Sequence, residues 1–272
     1  VDIKDVKRGR PALDPALILS ELANTSSKWL DIEVFEQVDS TNDLAIARLS
    51  NTPANSVFVI TADEQLKGRG RLQREWHSPF GAGIAISIAV PTSLFRCEVS
   101  AIPLLAGIAA NDCLKNLGAD SQLKWPNDLM VELESTELKK IGGILVQRHG
   151  DHVVIGIGIN VDLTADELPT ENATSLSLIS IRVSRESLIA QILKHLELAT
   201  QLTSEEWLPL YTNDCATIGA NVTVARKAES MVTGIAVGVR KSGELVIDSN
   251  EGRVEITSGD VVQVRASTKQ AD

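Results

Sequence analysis

Three cysteines are all that 272 residues contain, Cys97, Cys113 and Cys215, widely spaced and without a CxxC pair. An odd, scattered set excludes a disulfide framework and points to a reducing compartment. Histidine is almost as scarce. The one close pair, His149 and His152, flanks Gly150-Asp151 in what reads as a hairpin turn, a poor setting for a metal. No apolar run approaches the length of a bilayer span, Ile84–Val90 being far too short, and no signal peptide is visible, so the cytoplasm is the expected compartment. Basic residues are outnumbered, 26 Lys and Arg against 36 Asp and Glu, and the resulting net charge of −10 argues against a broad nucleic-acid-binding surface. There is no GxxxxGK, and Gln73 stands where GxGxxG needs its last glycine, which excludes a Walker loop and a dinucleotide fingerprint. Low-complexity linkers and internal repeats are also missing.

What is present centres on Gln65–Trp76, QLKGRGRLQREW. Gly68 and Gly70 alternate with Arg69 and Arg71, and Arg74 and Trp76 follow. Glycine lets main-chain N–H groups approach a ligand closely, and arginine adds a fixed fork of donors suited to phosphate and carboxylate. Such a stretch suits closure over a nucleotide; a flexible surface hairpin and an RGG-like RNA-binding tract are the competing readings. In an acidic protein, one local basic loop favours a small anion.

The chain is long enough for one large domain with a small appendage. Residues 1–30 read as an extension, loose over 1–13, with a short helix after Asp14-Pro15. Residues 31–217 alternate strands and helices. Ile32–Val38 is a strand, and Asp39-Ser40-Thr41-Asn42 caps the helix DLAIARLS; hydroxyls and an amide at that junction also suit a polar ligand. SVFVITA and GIAISIAV are strands joined by the arginine loop, and Leu104–Leu117 is a helix. Pro126 breaks KWPND between two strands, so Lys124, Asn127 and Asp128 project from strand ends. Lys139-Lys140-Ile141-Gly142-Gly143 opens the next strand, and in VVIGIGINV Gly156 and Gly158 share a face, leaving a strip for a flat ligand or another backbone. A loop over 162–183 and two helices follow. Residues 218–272 change texture to five short strands separated by turns, a small SH3-like barrel.

Four segments, DSTN at 39–42, QLKGRGRLQREW at 65–76, KWPNDLMV at 124–131, and KKIGGILV with GIGIN over 139–160, resemble the biotin–protein ligases in order and spacing. The resemblance covers about residues 31–265 and looks like the form without an N-terminal DNA-binding domain, so no DNA binding and no membrane association are expected. It implies an α+β fold: a mixed-sheet catalytic domain of the class II synthetase and biotin–lipoate ligase kind, followed by an SH3-like barrel. It also implies activation of biotin by ATP, with Mg²⁺, to biotinoyl-5′-AMP, then transfer to a lysine of a biotin carboxyl carrier protein.

By the same resemblance, Ser40, Thr41 and Gln65 hold the ureido head of biotin, together with the backbone N–H of Arg69, and Asn42 and Gly68 also belong to the biotin site. Gly143 and Gly158 leave room for the rings and the valeryl chain. Arg69 and Arg71 embrace the carboxylate and α-phosphate, Arg74 aids ATP binding, and Trp76 packs on adenine. Asn160 and Arg265 contact the nucleotide, Asn127 and Asp128 lie near the phosphates with Asp128 at the metal, and Lys140 serves the chemical step. Many relatives carry a third glycine where this chain has Gln73. A lipoate–protein ligase shares the fold and the acyl-adenylate chemistry and is the enzymatic alternative; a nucleic-acid-binding regulator is the alternative of another class.

Overall fold

The computed structural model describes residues 9–23, 29, 31–133, 137–225, 231–257 and 259–263. Along the chain run α1 (Pro15–Ala23), β1 (Ile32–Val38), α2 (Thr41–Leu49), β2 (Phe58–Gln65) and β3 (Gly83–Pro91). Then follow α3 (Ile102–Asn116), β4 (Ser121–Lys124), β5 (Asp128–Glu132), β6 (Leu138–His149) and β7 (His152–Asn160). Helices α4 (Arg185–Thr200) and α5 (Ser204–Asp214) lead to β8 (Asn221–Ala225), β9 (Met231–Val239), β10 (Leu245–Ser249), β11 (Gly252–Ile256) and β12 (Asp260–Gln263).

Strict alternation in β3 and β7 sets the centre of the molecule. Ile84, Ile86 and Ile88 on β3 and Ile155, Ile157 and Ile159 on β7 take every second position, and all are buried in one core with α3 and α4. The intervening positions are small: Ala85 pairs with Gly158 and Ser87 with Gly156. Because successive side chains point to opposite faces, one face of the sheet is a thick aliphatic layer and the other a shallow trough. Helix α2 crosses the trough at one end, where Ala45 and Leu49 pack with Phe58, Ile60, Ala89 and Val154.

Seven strands form the sheet in the order β1-β2-β3-β7-β6-β5-β4. Only β1 and β2 run parallel, as the intervening α2 crossover requires, so the sheet is mixed. A second, antiparallel sheet of five strands, β11-β10-β9-β8-β12, is the SH3-like unit. The alternating short segments of the C-terminal stretch therefore pair as their texture implies, with Arg226, Ser258, Val264 and Arg265 outside the described residues.

Two departures from the sequence reading matter for the site. Helix α2 starts at Thr41 rather than Asp43, because Ser40 is its N-cap and accepts a hydrogen bond from the Asp43 N–H at 3.3 Å. Thr41 and Asn42 thereby become first-turn residues, both buried. The second departure is at the N-terminus, where residues 9–13 are tied down rather than loose. Arg10 binds both carboxylate oxygens of Glu167 at 3.0 and 2.6 Å, and the Leu13 N–H donates to Asp63 Oδ1 at 3.0 Å. Asp63 also pairs with Arg185 at 2.7 Å, both nearly inaccessible to solvent. No periodicity foretells a pairing between residues this far apart in sequence.

Candidate active site

One cavity opens on the small-residue face of the sheet, lined by the cap of α2, the loop after β2, the turn before β5, and the glycines of β6 and β7. Its floor is a polar chain. The Thr41 N–H and hydroxyl both donate to Gln65 Oε1, at 2.9 and 3.0 Å. Ser87 Oγ lies 2.8 Å from Thr41 Oγ1 and 2.5 Å from Asn42 Oδ1. The Asn42 amide donates to Gln147 Oε1 at 2.7 Å and to the Leu145 carbonyl at 3.3 Å. These groups fix one another in place, so this end of the cavity is preorganised.

The glycine strip is real, but side chains lie on it. A Cβ at Gly156 would sit 2.3 Å from Asn42 Oδ1, and one at Gly158 would sit 2.6 Å from Trp76 Cε2. Asn42 lies over Gly156 and the Trp76 indole over Gly158. Alternation shows where a side chain is missing and leaves open which distant residue fills the gap.

The loop after β2 is a short hairpin. The Trp76 N–H donates to the Gly68 carbonyl at 2.8 Å, and the Gly70 N–H to the Arg74 carbonyl at 2.7 Å. Gly68 is required, since a Cβ there would lie 2.6 Å from the Trp76 carbonyl oxygen. The tip turns through Leu72 and Gln73 at φ 55° and 61°. Both occupy the left-handed region, which costs a non-glycine residue about 1–2 kcal/mol. Two ion pairs tie the base of the hairpin to the segment around α2: Lys67 with Asp39 at 2.7 Å, and Arg69 with Asp43.

Across the cavity, the Lys124–Asp128 turn connects β4 and β5. Asn127 stitches it to β6: its side-chain amide donates to the Ile144 carbonyl at 2.9 Å, and the Ile144 N–H returns a bond of 2.9 Å to the Asn127 carbonyl. Asp128 pairs with Lys140 Nζ at 2.5 Å. The ammonium also stands 5.9 Å from the centroid of the Trp76 ring, within reach of a cation–π attraction. Among the described residues, Arg69, Arg71, Arg74, Lys124 and Lys140 line the cavity against the single carboxylate of Asp128. In a protein of net charge −10, this concentration of cations draws a polyanion to one place.

Ser40, Thr41, Asn42, Gln65, Arg69, Arg71, Arg74, Trp76, Asn127, Asp128, Lys140, Gly143 and Gly158 all line this cavity. Gly68 does not line it and acts through the hairpin. Asn160 does not line it either: it is buried, and its amide donates to the Thr174 carbonyl at 2.9 Å. Arg265 lies outside the described residues. Sequence reasoning missed Ser87 and Gln147, which do not line the cavity but hold the lining residues Thr41 and Asn42 from behind. Ser87 carries a signal in hindsight, a lone hydroxyl among the small residues of β3.

Residues 34–160 match the Biotin/lipoate A/B protein ligase family, and residues 217–263 match the Biotin protein ligase C terminal domain. The fold and cavity thus belong to the class of ligases that attach such cofactors to proteins. Over 271 residues the chain is 30% identical to the biotin--[acetyl-CoA-carboxylase] ligase of Mycobacterium tuberculosis, covering 96% of this chain and 99% of that protein. It is 28% identical to the bifunctional ligase/repressor BirA of Escherichia coli, over 88% of this chain and 75% of that one. Among solved structures, the Aquifex aeolicus biotin protein ligase in complex with biotin and ATP superposes with a TM-score of 0.72. That match has 28% identity and covers 87% of this chain and 99% of the other. The chain belongs to the biotin–protein ligase family.

Proposed function

We propose that this protein joins biotin and ATP to biotinoyl-5′-AMP, releasing pyrophosphate, and transfers the biotinoyl group to one lysine of a biotin carboxyl carrier protein of an acetyl-CoA carboxylase. The observation that carries the reading is the convergence of four separated motif segments on one cavity, lined among the described residues by five cations and one carboxylate. In the first step an oxygen of the biotin carboxylate bonds to the α-phosphorus of ATP. The bond from that phosphorus to the bridging oxygen breaks, and pyrophosphate takes the electron pair. In the second step the carrier amine bonds to the acyl carbon, AMP leaves, and the amine loses a proton.

Both partners of the first step are anions, so cations held in place must offset their repulsion and the charge that develops between them. Lys140 and Arg71 take that role, with Arg74 on the ATP side and Trp76 against the adenine. Arg69 contributes its backbone N–H at the biotin head, its guanidinium being held by Asp43. Ser40, Thr41, Asn42 and Gln65 form the polar end for the ureido group, and the bare position of Gly143 gives the rings and chain room, Gly158 lying under the Trp76 indole. Mg²⁺ would arrive with ATP. The donor set fits, because among the described residues Asp128 is the one carboxylate lining the cavity, and magnesium commonly takes one or two carboxylates besides substrate phosphates. Asp128 would hold it, and the ion would offset charge on the leaving pyrophosphate.

The test is pyrophosphate release on mixing protein, biotin and ATP, followed by addition of a carrier domain and detection of biotin on its lysine. Release that needs biotin and is unmoved by lipoate is the expected result. Release with lipoate in place of biotin, or binding of neither by isothermal titration, would overturn the reading.

A further inference from the structure

The turn that carries Asn127 and Asp128 is gripped from the second sheet. Trp125 is 2% exposed, and its indole N–H donates at 2.9 Å to the carbonyl of Gly243, in the turn between β9 and β10. Its backbone N–H donates at 3.0 Å to the hydroxyl of Thr217, which is fully buried at the junction with the C-terminal unit. Just upstream in both segments, the Ala216 N–H donates at 2.8 Å to the Leu123 carbonyl.

The partner turn is itself fixed. Gly243 has a φ of +95°, and a Cβ there would lie 3.2 Å from the Ser100 carbonyl oxygen, just ahead of α3. The turn is therefore wedged between α3 and the indole. Trp125, Pro126, Asn127 and Asp128 all line the cavity, and so does Val261 of the second sheet. Asp128 in turn holds Lys140.

A buried tryptophan often serves as bulk alone. Here its polar edge is directed at a carbonyl of the other sheet, and the next three residues are cavity wall. We propose that Trp125 is a positioning residue. Through Gly243 and Thr217 it makes the C-terminal unit hold the Asn127–Asp128 turn, and with it Lys140, in register at the phosphate end of the cavity. The biotin end is fixed separately, by the Thr41–Gln65–Ser87–Asn42 chain. The inference rests on the ligase reading of the cavity, since it assigns one end to ATP.

Trp125→Phe keeps an aromatic ring, though a smaller one, and deletes the N–H, leaving the part-buried Gly243 carbonyl without this donor. Thr217→Val deletes the second anchor with little change of volume. Either is expected to lower kcat/KM for ATP in pyrophosphate release about tenfold, the usual scale for a buried hydrogen bond lost on one side. Biotin affinity by isothermal titration is expected to stay within about twofold, because no link of the biotin-end chain is touched. Lys241→Ala breaks another tie between the two units, the exposed Lys241–Glu205 pair, and is expected to change neither quantity. Wild-type ATP kinetics in both anchor variants would overturn the inference. So would an equal loss of biotin affinity and ATP kinetics with a lowered Tm, which marks a merely structural role. Wild-type protein that releases no pyrophosphate would instead overturn the ligase reading, and shows itself before any variant is made.

Discussion

Lys139 and Lys140 stand next to each other on β6, where alternation sends one to each face, and only Lys140 lines the cavity. Its ammonium meets Asp128 on one side and the Trp76 ring on the other, at the place where charge on carboxylate and α-phosphate would gather. Removing one preorganised partner of developing charge typically costs about 10²–10³ in rate. Lys140→Ala is therefore expected to slow pyrophosphate release by about that factor, with Lys139→Ala close to wild type. Equal rates for the two variants in a single-turnover assay would remove Lys140 from the chemical step. Gln73 is the other residue whose identity was readable but whose consequence was not. Its φ of 61° is one that glycine adopts without strain and glutamine does not. Gln73→Gly is expected to relieve about 1 kcal/mol of left-handed strain, part of which the more flexible unfolded chain takes back. Trypsin cleavage after Arg71 and Arg74 should then slow a few-fold; faster cleavage would mean that the glycine loosens the turn instead.

At the scale of elements, the sequence made most of the framework legible because its signals are local. Strand β1 falls on Ile32–Val38 as expected, the Ile-and-small alternation gives β3 and β7 their two faces, and Ser184 caps α4 by accepting from the Ser187 N–H. The signals that failed are non-local. Nothing in residues 9–14 indicates that they are stapled to Glu167, Asp63 and Arg185. That staple carries its own pH dependence. The Arg10 guanidinium, helped by the Thr164 N–H, holds the Glu167 carboxyl down at about 2 against an ordinary value of 4.5. The folded state therefore binds this proton less readily than the unfolded chain. The contribution is complete above pH 4.5 and fades as the pH falls toward 2. Glu167→Gln is expected to lower stability at neutral pH and to flatten the loss between those two values. Urea midpoints measured across that range decide it, and parallel curves for the two proteins would exclude the staple as the cause.

For the whole molecule, the two units were separable in the sequence by texture alone, but their coupling was not. KWPND advertised a cation, an amide and a carboxylate, whereas the indole between them proved to be the link to Gly243 some 118 residues away. Such a contact depends on how two finished sheets dock, which no window of residues encodes. The consequence is thermodynamic. A ligand that binds only the folded protein stabilises it by about 2.7 kcal/mol at a hundred times its Kd, and spreads that gain over every element whose opening would release it. Biotin and ATP in a cavity walled by the hairpin, by the Asn127–Asp128 turn and by Val261 should slow opening on both sides of the Trp125 link. Amide hydrogen exchange is thus expected to slow at residues 65–76 and also at residues 240–244, although the latter do not line the cavity. In Trp125→Phe the protection at residues 65–76 should persist while that at residues 240–244 falls back to the ligand-free rate. Protection confined to the hairpin in the unaltered protein would show that the C-terminal sheet is a passive neighbour of the site.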